Sequence, residues 1–228
     1  MKKFIYILFI LIFSNHLNAH IPHYNNISSI NMEIYRNNKL IGFSNFIFEH
    51  TNEEMIVKNS TKFDVKILGN TIFSLSSKSI EGYKNNKLLY FKSTTYQNDK
   101  KKYVSLKYDE TTGKLIIDGS SFKGFSDYDA VIGSWWNHDV LEANKQISPI
   151  SGSIKEQIVN FLGSKNINLY NNNYLVDHYT IKSKKKDLPN NKKLNFDVWI
   201  SKKNNIIVKV SYSKMGNWEY RLKNFKTN

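Results

Sequence analysis

Residues 55–67 of this chain read MIVKNSTKFDVKI, and this stretch decides the fold class. Apolar side chains stand at odd positions, as at Met55, Val57 and Phe63, whereas lysines and other polar residues fill the even positions from Lys58 onward. An alternation with a period of two is typical of a long β-strand that buries one face. The stretch therefore predicts a half-buried strand in an antiparallel sheet.

The same alternation recurs along the chain, with turn signals between the repeats. Residues 194–200, 206–213 and 218–223 alternate in this way and predict three consecutive hairpin-connected strands. Asn-Asn pairs such as Asn37-Asn38 and the pair at 85–86 predict tight turns, because Asn tolerates the positive φ that two-residue hairpins require. The predicted strands are 30–36, 39–49, 55–68, 71–83, 87–98, 102–109, 114–118, 154–161, 165–170, 174–182, 193–201, 205–214 and 217–225.

These patterns predict an all-β protein: a large curled antiparallel sheet, forming a half-barrel or open barrel of about 11–13 strands. Residues 119–153 interrupt the strand pattern and carry the adjacent tryptophans Trp135 and Trp136. A long connection that contains two tryptophans is expected to cover one end or face of the sheet rather than to lie in solvent.

The first nineteen residues have the features of a signal peptide. Lys2 and Lys3 precede the apolar run Phe4–Phe13, and the following polar stretch ends at the small residue Ala19. Ten apolar residues are too few to span a bilayer as a helix. The sequence thus predicts a signal peptide over 1–19, a flexible tail over 20–29 and a single domain over 30–225. It also predicts a bacterial protein of the periplasm or the medium, with no transmembrane segment after cleavage.

The composition is strongly basic, with 33 Lys and Arg residues against 19 Asp and Glu residues and a formal net charge of +14. All but two of the basic residues, Arg36 and Arg221, are lysines. Proteins that read nucleic acids depend heavily on Arg, so the composition predicts no nucleic-acid partner. The runs Lys100–Lys102 and Lys184–Lys186 are expected in solvated turns, with weak attraction to anionic surfaces as the alternative.

Catalytic and metal-binding motifs are not evident in the sequence. The chain has no cysteine, and it contains no Gly-rich phosphate loop, nucleophile elbow or zinc-protease motif. These observations predict no cofactor, no metal site and no catalytic residue, and they favour a non-enzymatic role. They leave open an enzyme with a site at Asn137, His138 and Asp139.

Aromatic side chains are abundant, with 14 Phe, 14 Tyr and 4 Trp. Some predicted strands are apolar on both faces, so a second apolar face needs a covering segment, a ligand or a partner. A covering loop that packs its tryptophan pair on that face is one explanation, and an apolar groove is the other. The candidate groove-lining residues are Trp135, Trp136, Phe63, Phe91, Phe196 and Tyr220.

Three stretches resemble a family of exported bacterial proteins that is defined only as a domain of unknown function. They are Tyr35–Gly42, Ser134–Asn137 and the C-terminal hairpins that contain Asp197–Ile200 and Trp218–Leu222. That family is in turn similar to periplasmic carriers typified by the lipoprotein localisation factor. The resemblance implies a curled antiparallel sheet whose concave face takes acyl chains, with no catalytic residues.

From these observations, the sequence predicts an exported, non-enzymatic protein that binds a hydrophobic or amphipathic ligand, such as a lipid or a lipidated molecule. Two alternatives stay open. One is a structural or interaction module of the cell envelope that pairs through exposed strand edges, without a small ligand. The other is an enzyme of unknown class.

Overall fold

The structure is a computed structural model that describes residues 21–51, 53–189 and 192–228. The predicted signal peptide lies outside these residues. The strands are β1 (Ile27–Arg36), β2 (Lys39–His50), β3 (Glu54–Ile67), β4 (Asn70–Lys84), β5 (Lys87–Gln97), β6 (Lys100–Asp109), β7 (Lys114–Gly119), β8 (Lys123–Asp127), β9 (Val131–Ile132), β10 (Lys145–Ile147), β11 (Ile154–Leu169), β12 (Asn172–Ser183), β13 (Asn195–Ser201), β14 (Ile207–Ser213) and β15 (Asn217–Thr227). Two short 3₁₀ helices span Ile21–Tyr24 and His138–Leu141.

All fifteen strands belong to one sheet, in the order β8-β7-β6-β5-β4-β3-β2-β1-β15-β14-β13-β12-β11-β10-β9. Neighbouring strands are antiparallel except for the short β9–β10 pair. The first strand pairs with the last, from Ile27 opposite Thr227 to Arg36 opposite Trp218. The predicted fold class, an all-β curled antiparallel sheet, is therefore confirmed.

The sheet curls until its two edge strands approach each other. β8 and β9 are the opposite edges of the sheet, yet only residues 128–130 separate them along the chain. Lys145 of β10 reaches across this seam, with its Nζ 2.5 Å from Asp127 Oδ2 and 3.2 Å from Asp129 Oδ1. The edges do not pair through their backbones, so the barrel stays open along the seam.

Strand alternation fixes which face of the sheet points inward. Ile30, Met32 and Ile34 of β1 are almost completely buried, and the register pairs Ile34 with Tyr220. The tight turns form as predicted at Asn37-Asn38 and at the pair 85–86, where all four residues have positive φ. Local turn chemistry and period-two patterning thus account for the register of these hairpins.

The distal half of the β11–β12 hairpin curls back over the outer surface. A bulge between Phe161 and Gly163 bends β11. Beyond the bulge, the Tyr170 hydroxyl donates a hydrogen bond of 2.5 Å to Glu33 of β1. Three strands separate β12 from β1 in the sheet order, so this contact requires strong coiling of the sheet.

The sheet differs from the predicted list of strands in two places. Three short strands, β8 to β10, lie inside the interval 119–153, where their few residues give too little alternation to recognise. The segments predicted as 154–161 and 165–170 are one continuous strand, β11, because the bulge breaks the alternation but not the pairing with β12.

The predicted flexible tail at 20–29 also differs from the structure. From Ile21 onward the segment belongs to the fold: a 3₁₀ helix spans Ile21–Tyr24, and β1 begins at Ile27. Tyr24 has no exposed surface because its ring packs inside the curl of the sheet. Within the described residues, no helix has the length and apolar character needed to cross a membrane.

Candidate functional site

Parts of one segment enter the interior of the curled sheet; we define this inner segment as residues 133–153, and it also contributes strand β10 to the sheet. Near its start Trp136 is completely buried, and near its end Ile150 packs against the buried cluster that contains Phe63 and Trp218. The Ser93 hydroxyl of β5 donates a hydrogen bond of 2.5 Å to the carbonyl oxygen of Pro149. Part of the interval 119–153 therefore packs inside the barrel rather than forming an external loop.

One end of the interior, which we call the closed end, is filled by aromatic rings around Trp136. Its indole lies edge-on to Tyr24, Phe48 and Tyr83, with ring centroids 4.9, 5.4 and 5.7 Å away. Tyr24 is also stacked parallel to Phe48 at 5.9 Å. Edge-to-face and offset stacked pairs stabilise a core beyond the area that they bury. This packing leaves almost none of these side chains accessible to solvent.

A buried carboxyl group anchors Trp136 to the sheet. The indole Nε1 of Trp136 donates to Glu81 Oε1 at 2.5 Å, and the Tyr83 hydroxyl donates to Oε2 at 2.9 Å. Burial raises the pKa of Glu81 to about 7, although these two hydrogen bonds oppose the shift. Because the charged form is disfavoured inside the protein, the site stabilises a protonated Glu81 near neutral pH.

The residues Asn137, His138 and Asp139 have structural contacts in this region. The Asn137 side chain caps the second 3₁₀ helix by accepting a hydrogen bond of 2.9 Å from the backbone N–H of Asp139. Nδ1 of the buried His138 lies 2.7 Å from the Tyr24 hydroxyl, which also accepts from the backbone N–H of His138 at 3.3 Å. These contacts fix the turn after the tryptophan pair. No group of three or more metal-ligating side chains occurs in the parts of the chain that the structure describes.

Toward the opposite end, six aromatic side chains form a continuous line, which we call the aromatic row. Successive ring centroids are 5.0, 5.3, 5.7, 5.4 and 5.8 Å apart. The row consists, in order, of Trp135, Phe196, Tyr212, Trp218, Phe63 and Phe73. Four of the six are only partly buried, as is the neighbouring Tyr220. The row therefore offers accessible aromatic surface on the inner side of the sheet.

Small polar side chains line the inner faces of the strands beyond the row. Ser44 and Thr61 share a hydrogen bond of 2.7 Å between β2 and β3, and Ser77 and Thr95 share one of 2.7 Å between β4 and β5. The register places all four on the same face as Phe63. Aromatic and hydroxyl surfaces therefore lie side by side on the concave face, which makes that face amphipathic.

A partly buried cation lies on the inner face of β11. Lys155 stands two residues before the buried Gln157 and so shares its face. Burial lowers the pKa of Lys155, and the positive charge of Lys214 lowers it further. Lys214 adjoins the aromatic row, since its carbonyl oxygen accepts a hydrogen bond of 2.8 Å from Trp218 Nε1. An anionic group beside Lys155 would offset the cost of burying its charge.

The structure divides the six predicted lining residues between two regions. Trp135, Phe196 and Phe63 belong to the aromatic row, and Tyr220 lies beside it with its ring centroid 6.4 Å from that of Trp135. Trp136 and Phe91 instead pack in the largest buried cluster, with 0% and 1% of their surfaces exposed. The adjacent tryptophans thus point to different parts of the interior.

Three members of the row were not among the predicted lining residues: Phe73, Tyr212 and Trp218. Tyr212 lies two residues after Val210 in β14, and Trp218 lies two residues before Tyr220 in β15. Each therefore points to the same face of the sheet as that neighbour. The alternation of the C-terminal strands was therefore a sufficient signal for these two. Phe73 lies near the β3–β4 turn, where no long alternating run identified its face.

Comparisons with known proteins are consistent with this architecture. A family model described as a domain of unknown function, DUF6134, matches residues 32–223. The chain belongs to this family. No curated protein sequence matches the chain.

The DUF6134 chain is also similar to a solved structure. It resembles a crystal structure of a β-barrel-like protein of a domain of unknown function, DUF1849, from Brucella abortus, with a TM-score of 0.59 and 9% sequence identity. The match covers 89% of this chain and 98% of that chain. At this identity the similarity shows the fold alone.

Proposed function

We propose that this protein is an exported, non-enzymatic binding protein for a hydrophobic or amphipathic ligand, such as a lipid or a lipidated molecule. The observation that carries the proposal is the aromatic row, which stays partly accessible inside the curled sheet although the closed end is completely packed. Removing acyl surface from water against these rings is favourable by about 25 cal/mol per Å².

The charge distribution around the row supports an anionic or zwitterionic headgroup on that ligand. Lys155 lies partly buried on the inner face of β11, where burial lowers its pKa, so a negative group beside it would stabilise its charged form. Inward-facing hydroxyl groups such as those of Ser77 and Thr95 supply hydrogen-bond partners for polar atoms of the ligand. Trp135, Phe196, Phe63 and Tyr220 are the lining residues in this proposal, whereas Trp136 and Phe91 support the interior from the closed end.

Export of the chain through its N-terminal segment, to the periplasm or the medium, is part of the same proposal. So is the likeness to carriers that resemble the lipoprotein localisation factor.

The two alternative functions, an interaction module and an enzyme, receive less support. The two sheet edges, β8 and β9, have five and two residues and lie near each other, so they offer little backbone for a partner strand. Asn137, His138 and Asp139 are engaged in the contacts that hold the inner segment.

Native mass spectrometry with lysophosphatidylglycerol tests the proposal. Protein beginning at His20 is expected to retain one lipid molecule, and the row variants Trp135→Leu and Phe196→Leu are expected to retain it about tenfold less well. The control is Phe125→Leu, because Phe125 is 59% exposed in the edge strand β8. Circular dichroism would verify that each variant is folded. Absence of lipid on the wild type, or equal retention by row and control variants, would disprove binding at the row.

A further inference from the structure

A two-stranded ribbon projects from the end of the barrel opposite the closed end. β3 pairs with β2 only as far as Phe63, and β4 pairs with β5 only from Leu75. Residues 64–74, which we call the tip ribbon, therefore extend beyond the paired parts of both neighbouring strands, and their ladder pairing is with each other. Near its base, the side chain of Asn98 accepts a hydrogen bond of 2.8 Å from the backbone of Ser74.

The tip ribbon carries apolar side chains that nothing in the described chain covers. Leu68 at its turn is 96% exposed, and Ile67 and Ile72 are 50% and 47% exposed. Leu40 and Met215, on the neighbouring hairpin ends at the same end of the barrel, are 51% and 83% exposed. Single exposed apolar residues are ordinary on protein surfaces, but a group of them at one projecting end marks an interaction site.

Basic side chains surround this apolar tip. We define the rim as the hairpin ends 36–40, 96–102 and 213–217 together with the tip ribbon. The basic residues of the rim are Arg36, Lys39, Lys66, Lys100, Lys101, Lys102 and Lys214, and its acidic residues are Asp64 and Asp99. The exposed run Lys184–Lys186 follows β12 at the same end of the barrel. The opposite end carries both signs, with Glu49, Glu53 and Glu54 at its β2–β3 connection beside Lys84 and Lys87 of the next hairpin, whereas the rim has seven basic residues against two acidic ones.

An open cleft of about 290 Å³ lies at the base of the tip ribbon. Its walls combine the apolar side chains of Ile41 and Val65 with the basic residues Arg36, Lys39 and Lys66. This pattern matches a phospholipid at a membrane surface, where an anionic headgroup adjoins acyl chains.

We infer that the rim is a membrane-docking surface, in which the apolar tip ribbon inserts among the lipids of an anionic bilayer and the surrounding lysines bind its headgroups. The charge of the rim complements anionic lipid, and the exposed residues of the tip are those that partition into the interfacial region of a bilayer. The aromatic row begins at Phe73, within the tip ribbon, so the docked protein would present the row to the bilayer.

Vesicle flotation tests the inference, with protein beginning at His20 so that the N-terminal apolar run does not contribute. The probes are vesicles of equal parts phosphatidylglycerol and phosphatidylethanolamine, compared with pure phosphatidylcholine vesicles. The protein is expected to bind the anionic vesicles and to release them as salt is added. Leu68→Ser should weaken binding about tenfold, and Lys101→Ala about fivefold.

Two control variants separate docking by the rim from general attraction by a basic protein. Leu175→Ser changes an apolar side chain of 52% exposure near the closed end. Lys107→Ala removes an exposed lysine from the same strand as Lys101, but from the opposite end of that strand. Both controls should bind vesicles as the wild type does. Equal losses in the control and rim variants, or no loss with Leu68→Ser, would overturn the inference.

Analytical ultracentrifugation of the same proteins distinguishes the other occupants. Self-association that disappears with Leu68→Ser, in the absence of vesicle binding, would identify a second copy of the chain as the partner and overturn membrane docking. Trp135→Leu leaves the rim intact and should dock normally. A failure of ligand binding in the aromatic row would therefore leave a positive docking result unaffected.

Discussion

The closed end and the aromatic row lie inside the same curled sheet and follow the same alternation, with β4 contributing to both, yet one is sealed and the other is partly accessible. At the closed end, Trp136 fills the space among Tyr24, Phe48 and Tyr83. In the row, the Trp135 ring packs against Phe196, and the residue is only partly buried. The comparison shows that the inner segment, more than the sheet pattern, decides where the interior is packed.

The largest effect on the free energy of unfolding should come from replacing each of the two adjacent tryptophans by alanine in separate variants. Trp136→Ala removes a completely buried indole and leaves Glu81 without one of its donors, so we expect a loss of about 4 kcal/mol in the free energy of unfolding. Trp135→Ala removes a partly exposed ring and should cost about 2 kcal/mol. Urea unfolding measures both values. Equal losses would show that the two ends of the interior are packed alike.

The sequence predicts those features of the two ends that depend on interactions between residues close together in the chain. Alternation and Asn-Asn turns act within one hairpin, so the fold class and the inward face of Phe63, Phe196 and Tyr220 could be predicted. The contact between Trp136 and Glu81 joins residues 55 positions apart. No local pattern shows such a contact, so the two tryptophans could not be assigned to different regions.

The same limit applies to the inner segment and to the tip ribbon. The interval 119–153 has little alternation, so its short strands and its place inside the barrel follow only from contacts such as that of Ser93 with Pro149. The projection of the tip ribbon depends on where β2 and β5 stop pairing. The lengths of neighbouring strands, rather than the residues of the ribbon, determine that projection.

The second prediction concerns pH and is specific to the closed end. With a pKa of about 7 in the folded protein, against an ordinary value of 4.5, Glu81 holds a proton that the unfolded chain releases at lower pH. Its contribution to stability is therefore complete below about pH 4.5 and is lost as the pH rises through about 7. Between about pH 5 and pH 8, this single group should lower the free energy of unfolding by roughly 2–3 kcal/mol.

Urea unfolding of wild type and Glu81→Gln at both pH values isolates this effect from the other titrating groups. Glutamine keeps one carbonyl acceptor for the Trp136 indole, its amide N–H can donate to the Tyr83 hydroxyl oxygen, and it does not titrate, so the variant should lose less stability on going to the higher pH. Glu49→Gln serves as the control, because Glu49 is exposed and pairs with Lys58 at the surface. An unchanged pH dependence in Glu81→Gln would indicate that the carboxyl group is ionised in the folded protein.

The third and smallest effect comes from a matched pair of glycines, one in the inner segment and one in the tip ribbon. Gly152 and Gly69 both have positive φ, at +77° and +83°, so an alanine at either position adopts a strained backbone. A Cβ at Gly152 would lie 3.2 Å from Gly119 Cα and from Ile117 Cγ2, whereas a Cβ at Gly69 meets nothing within 4 Å.

Backbone strain alone should cost about 1 kcal/mol in Gly69→Ala, and the added crowding should bring Gly152→Ala to about 2–3 kcal/mol. Because the conformational penalty is nearly the same in both variants, the difference between their unfolding free energies measures how tightly the inner segment packs against β7. A difference near zero would mean that the inner segment moves enough to accommodate the new methyl group without crowding. The inner segment could then shift away from β7, and a bulky ligand could displace it without unfolding the sheet.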